Sequence, residues 1–141
     1  MDGQERNVIL LIDDDADMHL VVTAVLAGLG CQVKCFATGA AGLEAMRKQH
    51  PALVLLDIML AAPTEGLQVA CQMRQDARLK DIPIIFMSAV DKTCEAEYTR
   101  EVCPVSLDAD MFINKPFDAT TLREAVTWVL SNKPMGGAPR P

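Results

Sequence analysis

Five short apolar runs alternate along the chain with longer segments of helical periodicity, and this alternation limits the possible folds more than any other feature. The runs are Val8 to Ile12, Gln32 to Phe36, Leu53 to Leu56, Ile84 to Met87 and Met111 to Ile113. The first, third and fourth are apolar at nearly every position, as strands are when helices cover both faces of a sheet. The sequence therefore predicts an α/β fold with a doubly wound, five-stranded parallel sheet and those three strands at its centre.

The segments between the runs carry signals of helix ends. Gly28 stands where a first helix would stop, Thr38 can cap a second helix, and Asp118 can cap the last one. The stretch before the fifth run is less regular, and its apolar spacing predicts a helix over residues 93–102. We expect one domain over residues 6–131, followed by a flexible tail or the start of a linker at 132–141.

The composition argues against several classes of function. The 141 residues include 13 basic and 19 acidic side chains, a formal net charge of −6, and 50% of them are hydrophobic. Such a chain can fill a core, whereas its acidic balance argues against direct contact with nucleic acid or with a membrane surface. We see no signal peptide and no apolar segment of roughly 20 residues, so we expect a cytoplasmic protein. The five cysteines, an odd number without a CxxC pair, are expected to be buried or free thiols, with a zinc site or a redox pair as the alternative.

Polar side chains follow four of the five apolar runs. Because ligands of open parallel sheets bind beyond the carboxyl ends of the strands, these positions form the candidate site. The residues are Asp13, Asp14 and Asp15 after the first run, Asp57 after the third, Ser88 after the fourth and Lys115 after the fifth. If the first strand lies beside the third, three carboxylates, a hydroxyl and an ammonium meet at one edge of the sheet.

Asp57 is the most informative of these residues, because it lies inside the apolar segment LVLLDIML. An unpartnered buried carboxylate would cost several kcal/mol to desolvate, so a cation or a strong hydrogen-bond donor must face it. A buried Asp bonded only to loop amides is the simpler alternative. For the run from Asp13 to Asp15 the simpler alternative is a turn with a helix cap, the role that we expect for Asp15.

A cluster of carboxylates requires a divalent cation. Two carboxylates about 5 Å apart, at an effective dielectric constant of about 20, repel each other by about 3 kcal/mol. Ligands that are all oxygen, without His or Cys, favour Mg²⁺. Together with the Lys115 ammonium, this ion would polarise the oxygens of an incoming phosphoryl group, and attack by Asp57 would give an aspartyl phosphate.

Four segments together resemble the receiver domains of two-component response regulators. They are VILLIDDD, LVLLDIML, PIIFMSA and FINKPF, and the resemblance extends over about residues 6–131. It implies a flavodoxin-like, five-stranded doubly wound sheet with the order 2-1-3-4-5. It also implies a signalling domain that assists its own phosphorylation and dephosphorylation without being an enzyme. Its partners would be a histidine kinase or a phosphotransfer protein, a downstream protein target and, in a homodimer, a second copy of itself.

The same resemblance implies roles for individual residues. Asp57 would be the phosphoacceptor, while Ser88 and Lys115 would each contact a phosphoryl oxygen. Ser88 and Phe112 would form the conformational switch. The implied Mg²⁺ ligands are Asp13, Asp14, Asp57 and the Met59 carbonyl.

Two other interpretations remain open. The segment LLIDDDAD holds a DxD after an apolar strand, as in haloacid-dehalogenase-like phosphohydrolases, but this leaves Asp57 without a role, and no acidic pair follows Lys115. The second is a receiver-like scaffold that is not phosphorylated. His19 and His50 are expected to be surface residues, because neither lies in a recognisable phosphoryl-donor motif. We expect either a stand-alone receiver or a piece of a larger regulator.

Overall fold

A computed structural model describes residues 7–58, 65–88, 111–115 and 117–131. The parallel sheet has the order β2-β1-β3-β4-β5, which confirms the predicted fold class and strand order. Its strands are β1 (Val8–Ile12), β2 (Gln32–Phe36), β3 (Leu53–Asp57), β4 (Ile84–Ser88) and β5 (Met111–Asn114). The described helices are α1 (Ala16–Ala27), α2 (Gly39–Lys48), α3 (Glu65–Gln75) and α4 (Ala119–Ser131). The helix predicted over 93–102 and the tail at 132–141 lie outside the described residues.

The predicted helix ends are present in the structure. Gly28 is the C-cap residue of α1. The Thr38 hydroxyl accepts a hydrogen bond from the Ala41 backbone N–H at 3.2 Å, and the Asp118 carboxylate accepts one from the Thr121 backbone N–H at 2.8 Å. Each cap satisfies an N–H group that has no partner within its own helix, so short polar side chains set where α2 and α4 begin.

The strand register places two acidic residues side by side at the carboxyl edge of the sheet. All five residues of β1 and of β3 are buried, and these strands pair in parallel with Ile12 opposite Leu56. Asp13 follows Ile12 and Asp57 follows Leu56, so the two acidic residues lie beside each other. The three wholly apolar runs form the centre of the sheet, as predicted, while β2 and β5 lie at its edges.

Alternate residues of β1 face two separate hydrophobic cores. Ile9 and Leu11 pack in one core with residues of α1 and α4, whereas Leu10 and Ile12 pack in the other with residues of α2 and α3. The helices therefore cover both faces, as a doubly wound sheet requires. Within the part of the chain that is described, no helix combines the length and apolar character needed to cross a bilayer.

The cysteines differ from the prediction at one position. Cys31 and Cys35 are free thiols, and burial raises the pKa of the Cys31 thiol. Cys71 on α3 is disulfide-bonded, so the prediction of a free thiol is wrong at this position. A disulfide requires Cα atoms about 4.4–6.8 Å apart. An odd cysteine count and the lack of a CxxC pair do not reveal that proximity.

Gly66 allows α3 to begin directly against the end of β3. A Cβ atom at this position would lie 2.0 Å from the Asp57 carbonyl oxygen and 2.6 Å from the Ile58 Cα. The Gly66 backbone N–H also donates a hydrogen bond to the Ile58 carbonyl at 2.9 Å. Because the crowded atoms belong to the backbone, no side-chain rotation could make room for a larger residue.

Gly66→Ala is therefore expected to lower the free energy of unfolding by about 1–3 kcal/mol or more, since the backbone must move to admit one methyl group. Urea unfolding followed by circular dichroism measures the change. Gly28→Ala is the matched control and is expected to be neutral or stabilising, because Gly28 has a φ of −65° and its added Cβ would meet only the Val25 carbonyl oxygen, at 3.4 Å. Equal unfolding free energies for the two variants would contradict this role for Gly66.

Candidate functional site

Three carboxylates meet at the carboxyl edge of β1 and β3. Asp13 is completely buried and Asp57 is 6% exposed, whereas Asp14 is exposed. One carboxylate oxygen from each lies within 4.8 Å of the other two. The structure thus brings together the three acidic side chains that the sequence predicted as metal ligands.

Lys115 neutralises part of this cluster. It follows β5, and its Nζ donates hydrogen bonds to Asp13 Oδ2 at 2.9 Å and to Asp57 Oδ2 at 3.2 Å. Both carboxylates are buried, and the burial of Asp57 led us to expect a cation or a strong hydrogen-bond donor beside it. The Lys115 ammonium is both.

Opposing influences act on the Lys115 ammonium. Burial lowers its pKa, but the hydrogen bond to Asp13, the charges of Asp57 and Asp13 and the hydrogen bond to Asp57 together outweigh burial. The pKa of Lys115 therefore lies above its ordinary value of 10.5. The side chain is positively charged throughout the physiological pH range.

Asp13 is held through both its backbone and its carboxylate. Its backbone N–H donates to the Phe36 carbonyl at 3.0 Å, and its Oδ1 accepts from the Asp15 backbone N–H at 2.9 Å. Its own carbonyl accepts a hydrogen bond from His19 Nε2 at 2.5 Å. With Lys115 on Oδ2, each polar group of Asp13 has a partner.

His19 is the contact that sequence analysis missed. We expected it at the surface, yet it is half-buried with its ring against the acidic turn. The only available signal was its position in the first turn of the helix that follows the three acidic residues. Histidines in the first turn of a helix are often exposed to solvent, so this position alone would not have identified the contact.

Asp15 has the capping role that we predicted. Its carboxylate accepts a hydrogen bond from the Asp17 backbone N–H at 2.9 Å, and it is the N-cap residue of α1. It is exposed and does not belong to the cluster formed by Asp13, Asp14 and Asp57. The third acidic residue of the run therefore starts the helix.

The remaining predicted residues are placed only in part. Ser88 ends β4 and pairs in register with Asn114, and Phe112 on β5 pairs with Phe86. The roles predicted for the Ser88 and Phe112 side chains stay predictions. Met59 lies outside the described residues.

The three carboxylates suit a Mg²⁺ ion. This ion takes oxygen ligands at about 2.0–2.1 Å, so two of its ligands are at most about 4.2 Å apart. The carboxylate oxygens of the cluster lie within 4.8 Å of one another, which leaves only a small adjustment. Neither His nor Cys takes part in this cluster among the described residues, as a hard cation prefers.

Known proteins with similar sequences include a response regulator and a probable transcriptional regulator. The family model for the response regulator receiver domain matches residues 9–127. The DNA-binding response regulator MtrA of Mycobacterium tuberculosis (strain ATCC 25618 / H37Rv) is 35% identical over 112 residues, which cover 79% of this chain and 45% of that protein. The probable transcriptional regulator ycf27 of Pyropia yezoensis is 28% identical over 126 residues, 89% of this chain and 48% of that protein. The chain thus spans about half the length of the curated relatives that it matches.

Solved structures share the fold. A putative response regulator from Chloroflexus aurantiacus J-10-fl has a TM-score of 0.78 at 24% identity and covers 90% of this chain and 99% of its own. A CheY-like response regulator receiver domain protein from Methanospirillum hungatei JF-1 has a TM-score of 0.78 at 22% identity and covers 92% of this chain and 97% of its own. These likenesses establish the fold. Because the family model matches most of its length, the chain belongs to the response regulator receiver domain family.

Proposed function

We propose that Asp57 accepts a phosphoryl group from a histidine kinase or a phosphotransfer protein, and that this modification changes how the domain binds a downstream protein. Response regulator receiver domains are signalling domains that interact with histidine kinases and effectors, and they generally bind Mg²⁺ at an acidic pocket. One observation carries the proposal. The buried Asp57 carboxylate lies 3.2 Å from the Lys115 ammonium, in one cluster with Asp13 and Asp14.

The proposed transfer joins an Asp57 oxygen to phosphorus. The oxygen attacks the phosphorus atom, and the bond from phosphorus to the donor's leaving atom breaks, with its electron pair staying on the donor. The leaving atom is a ring nitrogen in a phosphohistidine and an oxygen in acetyl phosphate. Because Asp57 is only 6% exposed, the donor must approach it along the carboxyl edge of the sheet.

Lys115 is proposed to pair with one oxygen of the transferred group. Its Nζ already donates to Asp57 Oδ2, so a phosphoryl group attached to Asp57 would bring its oxygens to the same ammonium. Asp13, Asp14 and Asp57, with the Met59 carbonyl as a further ligand, would hold Mg²⁺. That ion, when bound, supplies positive charge that polarises the phosphoryl oxygens.

Ser88 and Phe112 are proposed to convert the modification into a change of shape. Ser88 follows Met87, which pairs in register with Asp57, so its hydroxyl is the group that we expect to donate to a phosphoryl oxygen. The loop after β4 would move with Ser88, and the Phe112 ring would take up the space that this movement opens. The domain would then present a different surface to its partner.

Treatment with acetyl phosphate and Mg²⁺ is expected to add the mass of one phosphoryl group to the chain, measured by intact-protein mass spectrometry. Asp57→Asn should show no increase, because an amide is not a nucleophile for phosphorus, and chelation of Mg²⁺ should abolish the increase in the wild type. Asp15→Asn is the matched control. Asn also serves as an N-cap residue, and Asp15 lies outside the carboxylate cluster, so phosphorylation should persist.

Other results would favour another function. Modification of Asp57→Asn would show that a different residue accepts the phosphoryl group. An unmodified wild-type chain would favour the scaffold. Sustained hydrolysis of a phosphomonoester, with no stable modified chain, would favour the phosphohydrolase.

Lys115 is also proposed to stabilise the fold before any cation binds. Asp13 and Asp57 are buried close together. Among the described residues, Lys115 is the cationic side chain that forms ion pairs with both. Because the pKa of Lys115 is higher in the folded chain than its ordinary value, the folded state holds this proton more tightly than the unfolded state. The resulting stability is fully present below the unfolded pKa of about 10.5 and is lost as pH rises through the folded pKa.

The difference in unfolding free energy between the wild type and Lys115→Met is therefore expected to be constant between about pH 8 and pH 10 and to shrink at higher pH. Urea unfolding in Mg²⁺-free buffer measures it, and taking the difference cancels the groups that titrate in both proteins. Lys80→Met is the control, because Lys80 is exposed and has no ion pair among the described residues. A difference for Lys115→Met that does not change above pH 10 would contradict this stabilising role.

A further inference from the structure

We propose that His19 is a positioning residue for the Mg²⁺ site, whose ring holds the peptide group between Asp13 and Asp14 and so directs the Asp14 carboxylate. This inference rests on the proposed function, because it concerns the same cation site. His19 lies in the first turn of α1 and is half-buried. Its contacts, and the lack of a hydrogen-bond donor to the Asp14 carboxylate in the described part of the chain, lead to the proposal.

His19 bonds to the turn on both sides of Asp14. Its ring Nε2 donates to the Asp13 carbonyl at 2.5 Å, and its backbone N–H donates to the Asp15 carbonyl at 3.2 Å. A carbonyl oxygen can only accept, so Nε2 carries a hydrogen. The backbone hydrogen bond is present in the first turn of any helix. The ring hydrogen bond requires a side chain of this length that carries a donor at its end.

The ring contact acts on Asp14 through the planarity of the peptide group. The Asp13 carbonyl and the Asp14 nitrogen lie in one rigid plane, so holding the carbonyl fixes the direction in which the chain enters Asp14. The following peptide is held as well, because the Asp15 N–H donates to Asp13 Oδ1 at 2.9 Å. With both neighbouring peptides anchored, the Cα–Cβ direction of Asp14 has little freedom.

Asp14 depends on this support more than its two partners do. Asp13 and Asp57 are buried and bonded to Lys115, whereas Asp14 is exposed. Within ranges 7–58, 65–88, 111–115 and 117–131, no donor hydrogen-bonds the Asp14 carboxylate. Its oxygen nevertheless lies within 4.8 Å of the other two carboxylates. The backbone of the turn therefore places this ligand, and His19 holds that backbone.

His50 provides an internal comparison. Its ring Nε2 lies 3.0 Å from the Arg78 carbonyl, the same pair of groups as at His19, but in an exposed setting outside the acidic cluster. A substitution at His50 removes an equivalent contact without touching the turn that carries Asp14.

The test compares Mg²⁺ affinity across four variants by isothermal titration calorimetry with Mg²⁺ alone. His19→Leu is expected to raise the Mg²⁺ dissociation constant about ten-fold, the size typical of groups that orient metal ligands. His19→Gln should restore near wild-type affinity, because the Gln Nε2 and the His Nε2 are separated from Cα by the same number of bonds. His19→Asn, whose amide is one bond shorter, should behave like His19→Leu, and His50→Leu should bind Mg²⁺ like the wild type.

The free energy of unfolding without Mg²⁺, measured for the same variants, separates positioning from general stability. A loss of affinity in His19→Leu that Gln reverses and Asn does not supports the proposal, whatever the change in stability. Unchanged affinity in His19→Leu, or equal losses of affinity in His19→Leu and His50→Leu, would overturn it while leaving the proposed cation site intact. If the wild type does not bind Mg²⁺, or if Asp57→Asn binds Mg²⁺ as tightly as the wild type, the cation site and the role of His19 are both overturned.

Discussion

The ion pair between the buried Asp13 carboxylate and the Lys115 ammonium is the interaction on which the rest of the site depends. Asp13 has no exposed surface, and leaving such a carboxylate without a cation would cost about 3–5 kcal/mol. The ammonium lies 2.9 Å from it and also reaches Asp57. Because Lys115 follows the edge strand β5 while the two carboxylates follow central strands, this contact ties the edge of the sheet to its centre.

The sheet topology explains why the site opens where it does. From β1 the chain passes through α1 to the edge strand β2, returns through α2, and enters β3 on the other side of β1. The segments after β1 and β3 then lead to α1 and α3, which pack in cores on opposite faces. Two neighbouring segments that diverge in this way leave a crevice between them. Asp13, Asp14 and Asp57 occupy its rim.

Much of this arrangement could be predicted from the sequence because its causes are local. Three unbroken apolar runs marked the central strands, and the polar residues after four of the five runs marked the rim, since parallel strands end at the same edge. Asp15 could be assigned to capping because an N-cap needs only its own turn. Lys115 could be placed at this rim because it follows the fifth run, although its direct pairing with Asp13 and Asp57 was not predicted.

The features that were missed depend on distances between segments. Gly66 carries no sign in the sequence that its α-carbon faces the Asp57 carbonyl, and Cys71 carries none that it is disulfide-bonded. The His19 contact spans only six residues, yet it needs a particular ring orientation over the turn. Periodicity reports which face of a helix a residue occupies, but it does not report where that side chain reaches.

The charge of the site would also limit when the proposed phosphorylation can occur. Among the described residues, three carboxylates faced by one ammonium leave an excess of negative charge at the rim, and a phosphoryl donor is itself an anion. Lys115 cannot offset this excess, because its single charge is already shared between Asp13 and Asp57. Repulsion at separations of about 5 Å amounts to about 3 kcal/mol for each pair of like charges, which is more than a hundred-fold in rate. The same carboxylates that would bind a divalent cation would therefore slow the proposed transfer from an anionic donor until the cation is bound.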